Sequence, residues 1–113
     1  MTVKDRAKAL ITLQSFEGSF SLTSALASTL QVPLADLEAK LKTSSPSKLG
    51  EEDKKKLWAT VLAVCLFENK LGGEKDMWEL VVEKANDWMS GLSSVQTTYV
   101  AELKRLAGEM LGA

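Results

Sequence analysis

The sequence contains no histidine, which excludes a Ser-His-Asp or Cys-His nucleophile pair and any zinc site built on imidazole. Its lone cysteine, Cys65, has no partner for an intramolecular disulfide and sits inside an apolar run. It therefore reads as a small core residue of a protein in a reducing compartment. A basic excess is also missing: 14 Lys and Arg face 15 Asp and Glu, a net charge of −1, which is not the profile of a nucleic-acid binder. The longest apolar run, Leu57 to Phe67, reaches about half of a bilayer. The charged start Met1-Thr2-Val3-Lys4-Asp5-Arg6 lacks the apolar stretch of a signal peptide, and there is no Asn-x-Ser/Thr sequon. The expectation is a soluble, cytoplasmic protein with no membrane segment.

What is present is a globular balance. The 113 residues are 45% hydrophobic and 26% charged, which suits a single domain over residues 1–113 with a real core. Prolines occur only at Pro33 and Pro46, and glycines stand at natural breaks. Thr2 to about Ser15 reads as a helix, capped by Thr2, with Asp5 in its positive first turn. Gly18 supplies a turn between Phe16 and Phe20. Thr23 then caps a short helix that Val32-Pro33 breaks, because proline disfavours helix in the residue before it. Pro33 opens a further helix bearing Leu34, Leu37 and Leu41 at amphipathic spacing.

Thr43 to Gly50 is the clearest loop. Beyond it, Glu51-Glu52-Asp53 suits a helix N-terminus. Lys54-Lys55-Lys56 reads better as a solvated turn paired i,i+3 with those acids than as a phosphate patch. LWATVLAVCLF from Leu57 is apolar on every side and predicts a buried central helix. Leu71-Gly72-Gly73 ends it. Glu74 to Met89 is amphipathic: Trp78, Val81, Val82, Ala85, Trp88 and Met89 share one face, opposite Glu79, Glu83 and Asp87. A last helix from about Ser93 to Leu111 places Tyr99, Leu103, Leu106 and Met110 on one stripe. No alternating strand pattern appears, so the predicted fold is all-α, a compact bundle of about six helices around one buried central helix.

Catalytic chemistry finds little support in these residues. The acids lie on charged faces, where nothing raises a pKa, and the serines and threonines lack an activating base. Gly72-Gly73 is flanked by Glu74 and Asp76, which repel a phosphate, so a helix C-cap is the better account of the pair. No enzyme activity, cofactor or metal is assigned. Thr23 to Leu41 has the outline of a helix-turn-helix, with small Ala27 and buried Leu37, but its second helix begins Leu34-Ala35-Asp36 and carries Glu38. Those acids would meet phosphates, so a bare helical corner outweighs a DNA reader. Three tryptophans are many for such a chain. At least two of Trp58, Trp78 and Trp88 are expected in the core, and Phe16 and Phe20 are the apolar residues expected to be partly exposed.

Leu13-Gln14-Ser15-Phe16-Glu17-Gly18-Ser19-Phe20-Ser21-Leu22 resembles a motif of the form LQ, two residues, Asp/Glu-Gly, one residue, Trp/Phe, one residue, Leu. That motif opens the C-terminal helical domain of proteins carrying VIT and von Willebrand factor A domains. The vault-interacting region of the vault poly(ADP-ribose) polymerase is of this kind. Gln14, Glu17, Gly18 and Phe20 match the first motif; Trp58, Trp78, Ala85 and Trp88 match a second. The resemblance covers about residues 10–90, and residues 93–113 form an additional C-terminal helix outside it. It implies a non-catalytic module that docks onto the major vault protein and carries cargo into the vault particle. VIT and von Willebrand modules are absent from these residues. They read either as a segment of such a protein or as a small relative, and vault docking follows from the resemblance in the first case.

The expected role is thus a protein-interaction module docking onto a larger assembly, with the major vault protein as candidate partner and neither nucleic acid nor membrane. Phe16, Glu17, Phe20, Trp78 and Trp88 are the candidate partner-binding residues. The alternatives are a helix-turn-helix-like nucleic-acid or regulatory module using residues 23–41, and a bundle holding an apolar ligand among its Trp, Met and Leu side chains.

Overall fold

The structure, a computed structural model, describes residues 2–43, 50–91 and 97–111. Six α-helices follow in order: α1 (Val3–Thr12), α2 (Ser24–Leu30), α3 (Leu34–Lys42), α4 (Glu51–Lys70), α5 (Lys75–Ser90) and α6 (Thr97–Leu111), with a 3-10 turn (Gly72–Glu74) between α4 and α5. There is no strand among the described residues. The fold is a compact all-α globule, as the periodicity predicts. No helix of the described residues is long and apolar enough to cross a membrane.

Local chemistry accounts for most helix ends. Thr2 and Asp5 form a capping box at α1: the Asp5 N–H donates to Thr2 Oγ1 at 3.1 Å, and the Thr2 N–H donates to Asp5 Oδ2 at 3.3 Å. The helix stops at Thr12 rather than near Ser15, because the chain must already turn at Leu13 to form the compact bend that follows. The Leu26 N–H donates to the Thr23 hydroxyl at the start of α2. At its end Gln31 takes a left-handed conformation, φ 61°, while the Val32 N–H reaches Ala27 O and the Gln31 N–H reaches Ser28 O. This Schellman closure turns the chain so that Pro33 starts α3. Arg6 seals the same helix end from α1: its Nε donates to Thr29 O at 2.7 Å and a terminal nitrogen to Leu30 O at 2.9 Å.

α4 is the axis of the bundle. Every residue from Leu57 to Phe67 is buried, which requires neighbours on all sides, and α5 and α6 supply the largest of these contacts. Trp58 is buried and its Nε1 donates to Leu37 O at 2.9 Å, tying α3 to α4. Trp78 stacks on Phe67 with centroids 5.5 Å apart, and its Nε1 donates to Leu71 O at 2.8 Å. Both indoles thus bury their ring area with the one polar atom satisfied. On α6, Tyr99, Leu103 and Leu106 are buried and Met110 is half-buried. Residues 44–49 and 92–96, which hold most of the loop read at Thr43–Gly50 and the predicted start of the last helix, lie outside the described residues. α4 closes at Lys70, and Gly72-Gly73 enters the 3-10 turn instead of capping the helix.

One buried polar group joins the bend to the axis. Thr60 accepts the Phe20 N–H at 2.9 Å and donates its hydroxyl to Lys56 O at 2.7 Å. Thr60→Val keeps the side-chain volume but orphans that N–H, and an unsatisfied buried donor costs about 1–3 kcal/mol. We expect the melting temperature to drop by several degrees in Thr60→Val and much less in Thr60→Ser. Equal unfolding curves for Thr60→Val and the unsubstituted protein would refute this role.

Candidate functional site

The bend between α1 and α2 is held on three sides. Within it, the Ser15 N–H donates to Ser19 O at 2.8 Å and the Gly18 N–H to Ser15 O at 3.1 Å. Gln14 Nε2 uses both of its protons, one to Gly18 O at 3.0 Å and one to Val81 O at 2.9 Å, which anchors the bend on α5. Ser19 Oγ donates to Glu17 Oε1 at 2.9 Å, so Ser15 is the donor in the 2.9 Å contact between the two serine hydroxyls. Lys56 Nζ of α4 reaches the same Glu17 oxygen at 3.2 Å. The Ser19 hydroxyl and then the Lys56 ammonium hold the Glu17 carboxyl below the usual carboxylate range.

This frame presents Phe16 to solvent. Its side chain is 95% exposed at the tip of the bend, and Lys84 Nζ stands 5.8 Å from the centroid of its ring. A tightly hydrogen-bonded segment is an unusual place for a bare phenyl ring, since nothing in the fold is gained by leaving it in water. One turn before Lys84 on α5 stands Leu80, 77% exposed. Phe16, Lys84 and Leu80 therefore share one stretch of surface. Sequence reasoning did not single out the last two. Leu80 was detectable as a leucine on the acidic face of α5, whereas Lys84 reaches Phe16 only through the tertiary fold.

The other sequence candidates fall elsewhere. The structure corrects the expectation that Phe20 is partly exposed. It is fully buried, because the reversal at Gly18 sends it inward against α4 while Phe16 points out. Trp78 is also a core residue, stacked on Phe67, with only a small part of it left at the surface. Trp88 is half-buried and packed on the core. Glu17 is exposed, as a surface residue should be. Lys56 pairs with Glu17 and not with the acids of its own first turn.

Reactive groups are few. Burial pushes the Cys65 thiol up and outweighs the opposing pull of Asn69, whose Nδ2 donates to the sulfur at 3.0 Å, so the thiolate a nucleophile needs is disfavoured. Among the described residues no three His, Cys, Asp or Glu side chains converge as metal ligands. At the corner of α2 and α3, Ala35, Asp36 and Glu38 are exposed, so the face a groove reader would use carries acid. Comparison with family models, with curated proteins and with solved structures returns no match.

Proposed function

We propose that this domain is a non-catalytic interaction module that docks onto a larger assembly through the Phe16 bend, with the major vault protein as partner. The observation that carries the reading is the exposed ring of Phe16 on a bend that hydrogen bonds hold on both α4 and α5. A rigid aromatic gives contact area with little ordering cost, which is what a central interface anchor provides. The pattern around Leu13–Leu22, resembling the opening of the vault-interacting helical domain, supports the choice of partner. Under this reading the domain delivers whatever chain it belongs to into the vault particle.

The test is binding of the 113-residue domain to purified major vault protein, with and without Phe16→Ala. We expect the substitution to weaken binding at least about ten-fold with an unchanged far-UV circular dichroism spectrum. Absence of binding by the unsubstituted domain, or equal affinity of the variant, would sink the proposal.

A further inference from the structure

On the flank of α5 away from Phe16, a cleft of about 580 Å³ runs between that helix and the end of α4. Trp78 and Val82 provide apolar lining, and Glu68, Glu79 and Glu83 stand around it with Lys75 as the single cation. The acids continue along the exposed side of α5, where Glu79, Glu83 and Asp87 follow one another at i,i+4. Like charges at that spacing repel, and none of these three forms an ion pair with another described residue. Leu80 stands exposed beside this ridge, next to Lys84 and Phe16. An apolar floor within an acidic rim complements one kind of protein side chain: a long aliphatic stem ending in a cation, which lies along Trp78 and Val82 and meets the carboxylates.

We propose that the cleft receives an arginine or lysine side chain from a basic, leucine-bearing segment of the docked protein, laid across the acidic ridge of α5. Under the docking role argued above, this segment and the socket for Phe16 belong to the same partner. The partner's charge sets the orientation of docking, and its apolar residues cover Leu80.

The probe is a fluorescent synthetic helix of alternating Arg and Leu faces, titrated into the 113-residue domain and read by anisotropy, with a Glu-for-Arg peptide as control. We expect binding of the basic peptide alone. Glu79→Lys/Glu83→Lys/Asp87→Lys should weaken it about ten-fold or more, and Glu38→Lys/Glu52→Lys/Asp53→Lys, an equal change of net charge elsewhere, by less than about three-fold. Should the first variant lose helicity, the neutral Glu79→Gln/Glu83→Gln/Asp87→Asn takes its place with the same expectation. No peptide binding, or equal losses in both variants, would overturn the cleft assignment. Binding to the major vault protein separates the two readings. Loss with Phe16→Ala but not with the α5 variant overturns the cleft alone. Peptide binding that obeys the α5 prediction, without any vault binding, overturns the docking role alone.

Discussion

Replacing Phe20 by alanine is expected to lower the melting temperature by roughly 12 °C or more, while replacing Phe16 leaves it almost unchanged. Phe20 is fully buried and its backbone N–H is bonded to Thr60, so truncation opens a cavity beside the central helix. Core Phe→Ala changes cost about 3–5 kcal/mol, a large share of the 5–15 kcal/mol that holds a domain of this size. Phe16 loses only an exposed contact with Lys84, and surface changes of this kind stay within about 1 kcal/mol. Chemical and thermal unfolding of the two variants in parallel checks the contrast. Comparable destabilisation by both would mean that Phe16 belongs to the core, and would remove the basis for docking through it. The pair also protects the binding experiment, because loss of affinity in a fully stable Phe16→Ala protein cannot be blamed on unfolding.

Gly18→Ala should be the most damaging small substitution outside the core. Gly18 has φ +106°, a conformation that side chains rarely adopt, and a Cβ there would stand 2.7 Å from the Lys84 carbonyl oxygen. The backbone strain is worth about 1–3 kcal/mol, and forcing the bend away from α5 adds a comparable amount. The movement also breaks the Gln14 bonds to Gly18 O and Val81 O, which set where Phe16 stands. Gly73→Ala is the matched control, since nothing lies within 4 Å of a Cβ at that position. We expect the Gly18 variant to lose several kcal/mol by urea unfolding and the Gly73 variant to change little. Equal stability of the Gly18 variant and the unsubstituted domain would show that the close approach to Lys84 is not enforced.

Much of the helical framework was legible without the structure, for reasons confined to one or two turns of chain. Thr2 and Thr23 were readable as caps because a capping oxygen and its N–H partner lie within three residues of each other. The buried stretch of α4 was readable because a run that is apolar on every side has no face to offer water. Cys65 as a core residue followed from the same run. Two of three tryptophans in the core followed from their place on apolar faces, and the structure assigns those places to Trp58 and Trp78.

The candidate site was only half legible. Glycine at position 18 announced a turn, but which of its flanking phenylalanines turns inward depends on how the bend seats on α4 and α5. Both phenylalanines flank the glycine turn, and position beside a turn alone reads both as partly exposed. Lys56 looked like a partner for the acids one turn away, yet it bonds to Glu17, 39 positions earlier in the chain. Leu80 and Lys84 join Phe16 for the same reason: the contact is made by packing α1's bend onto α5, not by spacing along either helix. Helix starts, caps and the central apolar run were thus set by interactions between near neighbours in sequence. The division of aromatic residues between core and surface, and the shape of the Phe16 surface itself, came from contacts that exist only after distant segments have closed on one another. Spacing along a helix cannot express them, because each depends on what the facing element already occupies.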